Sequence, residues 1–356
     1  MSLETLLQNY LDPYLKKTWG ELQAVKHLEI APGKITLHIK LPYPLAHLKA
    51  AMAALLQEMI TAKFPGYQLE LTATWQIDSH LFQPGVQNIP GVKNVIAVAS
   101  GKGGVGKSTT AVNIAASLKA EGARVGILDA DIYGPNQPHM LGVSTRLVTQ
   151  NGQPISPVLA HGLQSMSIGY LIDPETPMIW RGPMVSSALQ QLARDTAWDD
   201  LDYLIIDLPP GTGDIQLTLA QKIPLNGVLI VTTPQDIALL DARKGLEMFR
   251  KVNVSLLGIV ENMSIHVCGQ CGHEESIFGN EGASRLAKDY AVELLGNLPL
   301  AKQIREQADC GQPVVNAAPE SDIAKIYREI ARKLAGKIAL QPKNYGAKFP
   351  KIVVEG

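Results

Sequence analysis

The sequence predicts a doubly wound α/β fold with a mostly parallel sheet, preceded by a small α+β domain. Short runs rich in Val, Ile and Leu alternate with helical stretches over most of the chain. This alternation is typical of parallel strands that are covered by helices on both faces. A segment with two Pro-Gly steps, residues 83–91, separates these runs from a different pattern in residues 1–82. Such turn chemistry indicates a linker, so we place the boundary between two domains there.

The first domain, residues 1–82, shows the order helix, strand, helix, strand. The predicted elements are a helix over Leu3–Lys17, a strand over Lys34–Leu41, a helix over Ala46–Lys63 and a strand over Gln68–Trp75. In the first of these strands, apolar residues occupy alternate positions, which is the pattern of a half-buried strand. The prediction is therefore a small α+β unit.

The second domain is predicted to span residues 92–336. Its strands are expected at Val92–Ser100, Arg124–Ala130, Gln164–Gly169, Asp202–Leu208, Gly227–Thr233, Leu256–Glu261 and Val292–Leu298. Near-continuous apolar runs of this kind indicate strands that are buried on both faces. Residues 337–356 include Pro342 and Pro350 and lack an amphipathic period, so we expect an irregular tail.

The composition limits the classes of function. The 356 residues include 32 basic and 33 acidic side chains, with a net charge of -1, and 46% of them are hydrophobic. This balance argues against a disordered protein and against a surface built throughout for nucleic acid. No apolar run approaches the ~20 residues of a membrane helix, and the first residues lack the basic leader of a signal peptide. We expect a cytoplasmic protein without nucleic-acid or membrane partners.

A glycine-rich motif follows the first strand of the second domain. It consists of Gly101, Lys102, Gly103, Gly104, Val105, Gly106, Lys107, Ser108 and Thr109. The motif fits the pattern Gly, four residues, Gly-Lys-Ser/Thr, in which backbone N–H groups and a helix N-terminus surround phosphate groups. Lys107 is expected to reach the β- and γ-phosphates, and Ser108 is expected to bind Mg²⁺. The motif predicts an ATP-binding and ATP-hydrolysing enzyme.

Acidic residues at two strand ends complete the predicted nucleotide site. Asp207 ends one apolar strand, and an enzyme of this type needs such a residue near the metal, so we assign it to Mg²⁺. Asp129 and Asp131 lie at the end of another strand, and Asp131 is our candidate for orienting the attacking water. For Asp129, a place beside the same site and a role as a helix cap or solvated loop residue both remain open.

The position of Lys102, five residues before Lys107, resembles the deviant P-loop of the dimeric ATPases that include MinD, ParA, the nitrogenase iron protein and the Mrp/ApbC group. The resemblance implies a homodimer in which Lys102 reaches the nucleotide of the partner chain. It also implies that Asn262, at the end of a later strand, contacts adenine.

A cysteine pair, Cys268 and Cys271, lies in the loop after that strand, in a chain with three Cys in all. Iron and zinc both accept such thiolates. An iron-sulfur cluster of the common types takes four ligands, and two chains supply four. We therefore expect a cluster, of the 4Fe-4S type in our assignment, that bridges two chains, although the sequence leaves 2Fe-2S open. A zinc site completed by His266 and His273 is the main alternative, and a thioredoxin-like redox pair is the third.

The cysteine loop and three further segments, residues 179–184, 207–214 and 258–263, resemble the Mrp/ApbC family of iron-sulfur cluster carrier ATPases from about Val92 to Leu334. The resemblance implies that ATP hydrolysis is coupled to cluster transfer, with a cluster assembly scaffold and recipient apoproteins as partners. Residues 1–82 resemble the small iron-sulfur assembly domain often fused ahead of this ATPase. That domain usually carries a Cys in a Pro-x-Cys-Pro setting, but residues 1–82 contain no Cys. We therefore expect a docking or regulatory module.

A MinD- or ParA-like positioning ATPase remains the alternative from another functional class. The near-neutral charge and the absence of a basic amphipathic helix after Gly336 argue against it.

Among single residues, Arg181 is interpreted either as a nucleotide or dimer contact or as a surface ion pair. Cys310 is expected to be packed, and solvation is the default for His80, His139 and His161.

Overall fold

A computed structural model of the chain describes residues 2–147, 153–172 and 182–344. Two predicted features lie outside these ranges, namely Arg181 with most of the segment 179–184, and the part of the tail beyond residue 344. Among the described residues, no helix is both long enough and apolar enough to cross a membrane.

The N-terminal unit is a three-stranded sheet with two helices. Its elements are α1 (Leu3–Gln8), β1 (Val25–Ala31), β2 (Lys34–Leu41), α2 (Leu48–Lys63) and β3 (Gln68–Trp75). The strand order is β1-β2-β3, with β2 antiparallel to β1 and parallel to β3. Alternate residues of β2 are buried, because one face of the sheet packs into the core. Strands β2 and β3 have the predicted bounds.

The predicted helix over Leu3–Lys17 is wrong, because α1 ends at Gln8. The carboxylate of Asp12 accepts hydrogen bonds from the backbone N–H groups of Tyr14 (3.0 Å) and Leu15 (2.9 Å). This side-chain turn competes with helix, and Pro13 moves the preceding residue away from the helical region. Strand β1 was not predicted, because its apolar residues do not alternate, and none of its residues is buried in the structure.

The second unit begins with β4 (Val92–Ala99) and is a three-layer α/β structure. Its further elements are α3 (Lys107–Ala120), β5 (Val125–Asp129), α4 (Gln137–Met140), β6 (Val158–Ala160), β7 (Leu163–Ser167), α5 (Gly182–Asp195), β8 (Leu201–Asp207), α6 (Asp214–Lys222), β9 (Gly227–Thr232), α7 (Asp236–Lys251), β10 (Leu256–Glu261), β11 (His266–Val267), β12 (Glu274–Glu275), α8 (Gly282–Asp289), β13 (Leu294–Asn297), α9 (Lys302–Asp309), α10 (Val314–Ala317) and α11 (Asp322–Ala339).

The main sheet of this unit has eight strands in the order β13-β10-β9-β4-β8-β5-β7-β6. Every pairing is parallel except that of β6 with β7, so the predicted mostly parallel sheet is confirmed. Strands β5, β8 and β9 are buried along their whole length, and two apolar clusters lie on the two faces of the sheet. Since β8 lies between β4 and β5, the carboxyl ends of these three strands meet at one edge.

The two units are joined at the C-terminal end of α3. Glu121, which follows α3, is fully buried and accepts hydrogen bonds from the backbone N–H of His47 (3.0 Å) and from Arg332 Nε of α11 (2.9 Å). The backbone N–H of Ala46 donates to the Glu121 carbonyl at 2.9 Å, and His47 Nδ1 donates to the Ala120 carbonyl at 3.0 Å. The N-terminal unit therefore supplies the donors that the last carbonyls of α3 lack within the helix. Because the two units have separate sheets, we propose residues 83–91 as the boundary between two domains.

Three smaller predictions need correction. Helix α11 runs to Ala339, so the irregular tail does not begin at residue 337; beyond it, the Pro342 carbonyl accepts a hydrogen bond from the backbone N–H of Leu81 at 2.9 Å. His80 is buried rather than solvated, and its Nδ1 donates to Asn94 Oδ1 at 2.9 Å. Burial lowers the pKa of His80. Cys310 is exposed rather than packed, at the end of α9.

Candidate functional site

The glycine-rich motif forms the turn between β4 and α3. Gly106 has a φ of 83°, in the left-handed region, and a Cβ at this position would lie 2.1 Å from Asn262 Nδ2. At Gly101, a Cβ would lie 2.2 Å from the backbone carbonyl carbon of Asp241 in α7. Side chains are therefore excluded at both positions, which places the backbone of the turn close to α7 and to the end of β10.

Lys107 is the cation at the centre of this site. It is buried, and its Nζ forms an ion pair with Asp207 Oδ1 and lies 3.7 Å from Asp131 Oδ2 and 3.3 Å from Ser108 Oγ. Lys107 is also the first residue of α3, where the helix dipole adds positive potential. The strand-end carboxylates and the P-loop cation, which are far apart in the sequence, thus lie together in the structure.

The two strand-end carboxylates, Asp129 and Asp207, lie opposite each other in the register of β5 and β8. Asp129 accepts hydrogen bonds from the backbone N–H of Asp131 (3.1 Å) and Gln137 (3.0 Å) and from Ser167 Oγ (3.2 Å). Burial, followed by the Asp207 charge, raises the pKa of Asp129 to about 8. Of the interpretations left open by the sequence, the bond from the N–H of Gln137 at the start of α4 favours the helix cap, and the bond from the Asp131 N–H also organises the loop before α4.

Asp131 lies at the border between this buried cluster and a pocket. Burial raises the pKa of Asp131, while the charge of Lys107 opposes that change. The pocket has a volume of about 460 Å³, and its lining includes Lys102, Lys107, Ser108, Asp131, Tyr133 and Pro210. Asp131 is therefore placed where it faces a molecule held by the P-loop.

Asn262 makes a contact that the sequence did not predict. Its Nδ2 donates to the Val105 carbonyl at 2.9 Å, so the amide supports the P-loop from the end of β10. The predicted contact of Asn262 with adenine stays a prediction. Through this hydrogen bond, the segment that continues into the cysteine loop is attached to the phosphate-binding turn.

Gln137 is a site residue that sequence reasoning missed. It is fully buried, and its Nε2 donates to Asp207 Oδ2 at 2.9 Å and to the Ser108 carbonyl at 3.0 Å. A lone Gln between two prolines, at the start of a four-residue helix, carries no motif signal. Its role depends on the neighbouring positions of β5 and β8, which only the fold supplies.

The cysteine pair lies at the tip of the two-stranded ribbon formed by β11 and β12. The tip is closed by two backbone hydrogen bonds of 2.9 Å, from Cys268 N–H to the His273 carbonyl and from Gly272 N–H to the Cys268 carbonyl. Cys271 is exposed, and Cys268 is partly exposed. The backbone N–H of Cys271, followed by that of Gln270, lowers the pKa of the Cys268 thiol. This turn therefore favours the thiolate, which is the form that binds metals.

The single-chain zinc alternative is not assembled in the described part of the chain. No group of three or more His, Cys, Asp or Glu side chains is placed there to hold a metal ion. His266 Nδ1 donates to the Leu300 carbonyl at 3.1 Å. The pair Cys268 and Cys271 thus offers two thiol ligands at an exposed tip, two fewer than a four-coordinate site takes.

The lowered pKa of Cys268 predicts early alkylation. In the metal-free, reduced protein we expect the iodoacetamide rate at Cys268 to reach half its maximum at a lower pH than the same thiol does in the denatured chain, because the native turn lowers its pKa. The native thiolate persists as the pH falls from the ordinary thiol pKa towards the lowered one. Mass spectrometry of the peptide containing Cys268 measures the rate, and the urea-denatured chain is the control. Equal midpoints in both states would contradict the role of the turn.

Comparison with known proteins identifies the family. A family model described as NUBPL iron-transfer P-loop NTPase matches residues 91–335. The chain belongs to this family. A second model, described as iron-sulfur cluster assembly protein, matches residues 2–69. The predicted family and the predicted enzyme class, a P-loop nucleoside triphosphatase, are therefore confirmed.

Individual relatives of this P-loop NTPase agree with that assignment. The iron-sulfur cluster carrier protein of Escherichia coli K12 is 50% identical over 343 residues, which cover 94% of this chain and 91% of the relative. A nucleotide-binding protein of Archaeoglobus fulgidus, solved in complex with ADP, is 36% identical with a TM-score of 0.58, covering 66% of this chain and 92% of that one.

The solved structure of MinD, a cell division ATPase from Pyrococcus furiosus, is also similar to this NTPase. It is 24% identical with a TM-score of 0.52, and the match covers 68% of this chain and 98% of that one. At this identity the likeness shows the fold alone. It confirms the predicted fold class and does not favour the positioning ATPase.

Proposed function

We propose that this chain is an ATP-hydrolysing carrier that binds an iron-sulfur cluster through Cys268 and Cys271 and transfers it to recipient apoproteins. The observation that carries the proposal is the exposed cysteine turn, which presents two thiols on the same chain as a P-loop site. The relative from Escherichia coli is named an iron-sulfur cluster carrier protein, and it matches this chain over almost its whole length.

In the nucleotide half of the site, the P-loop residues 101–109 would surround the phosphates, with Lys107 as the neutralising charge. Ser108 Oγ and the Asp207 carboxylate are oxygen donors of the kind that Mg²⁺ prefers, so they fit a magnesium ion. When bound, Mg²⁺ would neutralise charge on the β- and γ-phosphates. Asp131, on the pocket wall, would accept a hydrogen bond from the attacking water and align it.

In the thiol half, the cluster is the cargo of the protein rather than a resident cofactor. Two thiolates from each of two chains give the four ligands of a 4Fe-4S cluster. We therefore propose a homodimer with a bridging cluster, in which Lys102 reaches the partner's nucleotide and Asn262 contacts adenine. A cluster assembly scaffold and recipient apoproteins are the proposed partners. We also propose a cytoplasmic location, because three Cys in a chain of 356 residues are a poor disulfide framework.

One short segment connects the two halves. Asn262 is hydrogen-bonded to the P-loop at Val105, and residues 263–267 lead from it to the cysteine turn. A change in the P-loop on nucleotide binding would therefore reach Cys268 through a few residues of backbone. By linkage, a cluster that responds to nucleotide must in turn alter nucleotide affinity.

Anaerobic reconstitution with iron and sulfide tests this function. We expect the wild type to bind one cluster per dimer, measured by iron and sulfide analysis, absorbance and dimer mass. We expect the double variant Cys268→Ala, Cys271→Ala to bind none while it still binds ATP, because the P-loop is untouched. The variant Cys310→Ala is the matched control and should load like the wild type. Equal loading of the double variant, or binding of zinc alone, would reject the carrier function.

A further inference from the structure

We propose that Gln137 is the positioning residue that keeps the Asp207 carboxylate oriented when Lys107 turns to the phosphates of a bound nucleotide. The proposal rests on the proposed magnesium role of Ser108 and Asp207. It assigns a function to a fully buried side chain at the first residue of α4.

The Asp207 carboxylate has one described partner on each oxygen. Oδ1 pairs with Lys107 Nζ, and Oδ2 accepts the hydrogen bond from Gln137 Nε2 at 2.9 Å. The single ammonium group of Lys107 cannot keep its full ion pair with Asp207 and also neutralise phosphate oxygens, because the two anions compete for the same charge. When Lys107 moves, Oδ1 is released, and the bond to Gln137 is then the described contact that still holds the carboxylate.

The second amide hydrogen of Gln137 serves the other proposed magnesium ligand. Nε2 also donates to the backbone carbonyl of Ser108 at 3.0 Å, and the backbone N–H of Gln137 donates to Asp129 Oδ2 at 3.0 Å. One residue therefore joins the first turn of α3 to the ends of β5 and β8. The distance between the Ser108 hydroxyl and the Asp207 carboxylate depends on this connection.

The orientation of the Gln137 amide follows from its partners. Both partners of Nε2 are acceptors, a carboxylate and a carbonyl, so the opposite orientation would place Oε1 against two oxygens. Oε1 itself is buried and has no hydrogen-bond partner among the described residues. A buried amide that keeps one oxygen unpaired in order to make two donor contacts is costly for packing alone, which favours a role at the site.

The test measures how much magnesium tightens nucleotide binding. The dissociation constant of ADP is determined by isothermal titration calorimetry on the full-length protein, once with Mg²⁺ and once with EDTA. The quantity compared between variants is the ratio of the dissociation constant in EDTA to that in Mg²⁺. For Gln137→Met we expect the ratio to fall about tenfold, the lower end of the effect of removing a partner of a metal ligand. The affinity in EDTA should stay within about twofold, because the P-loop backbone is retained.

A merely structural role would give a different result. It would weaken ADP binding equally with and without Mg²⁺, or lower only the melting temperature, and an unchanged ratio would overturn the proposal. Gln83→Met is the matched control, because Gln83 is also buried and bonds the Ala220 carbonyl and the Leu225 N–H away from the P-loop. Its ratio should equal that of the wild type. If Gln137→Met does not fold, Gln137→Asn is the test variant. Its amide is one methylene too short to reach Asp207, so we expect the same fall in the ratio.

Ser108→Ala separates this inference from the proposed magnesium site. A reduced ratio in Ser108→Ala with an unchanged ratio in Gln137→Met overturns the role of Gln137 alone. The magnesium assignment, and this inference with it, is overturned if Ser108→Ala has the same ratio as the wild type. It is also overturned if the wild type itself has a ratio near one. Reduced ratios in both variants support the two together.

Discussion

Replacement of Lys107 by Ala should lower kcat for ATP hydrolysis by about 100-fold or more. Lys107 is the buried P-loop cation, and it forms ion pairs with Asp131 and Asp207. Removal of one preorganised electrostatic contact to a reacting group lowers the rate by a factor of about 10²–10³. The measurement is steady-state phosphate release at saturating MgATP.

Two further variants make this result specific. Lys119→Ala removes a lysine in the last turn of the same helix, far from the phosphates, and should stay within about twofold of the wild type. Lys107→Arg keeps the ion pair with Asp207 but replaces a compact charge by a planar one, so it should fold and still lose most activity. Wild-type kcat in Lys107→Ala would show that the P-loop of this chain does not act on the γ-phosphate.

Replacement of Glu121 by Ala should destabilise the protein by about 3–5 kcal/mol. The side chain of Glu121 is 1% exposed and that of Arg332 is 13% exposed. The variant therefore removes the nearer carboxylate from an almost buried guanidinium and leaves it Glu329, whose Oε2 lies 3.7 Å from Nη1. It also removes the acceptor of the His47 N–H. The free energy of unfolding is measured by urea denaturation followed by circular dichroism.

The matched control is an exposed ion pair of the same kind. Arg243 and Asp289 are 3.2 Å apart, with side chains 51% and 57% exposed, and Asp289→Ala should change the free energy of unfolding by less than about 1 kcal/mol. A Glu121→Ala variant as stable as Asp289→Ala would show that the buried ion pair between Glu121 and Arg332 does not stabilise the fold.

Most of the fold was predictable because its signals are local. Strands β2, β3 and β10 have the predicted bounds, and the other predicted strands of the main sheet differ by one or two residues at an end. Apolar runs of this length indicate buried strands, because a strand that is covered on both faces is apolar at nearly every position. Elements without such a signal are not predictable in this way: β1 is an edge strand with no buried residue, and α1 is shorter than predicted because Asp12 forms a turn.

The candidate site divides in the same way. The P-loop glycines, Lys107 and the cysteine pair are recognisable because their chemistry depends on spacing within one short segment. The support of Val105 by Asn262 and the bonds from Gln137 to Asp207 and Ser108 join residues that are far apart in the chain. Spacing carries no information about such contacts, because they depend on which strands are neighbours in the sheet.

By itself, the sequence determined the class of fold, the family, the phosphate-binding segment and the thiol pair. Only the tertiary structure decided that Asp129 organises a loop, that His80 is buried, and that the N-terminal unit bonds the end of the helix that begins at Lys107. The physical reason is the range of the interactions. Backbone conformation and apolar periodicity act over a few residues, whereas burial, carboxylate pKa and ion pairing depend on groups that the strand order brings together.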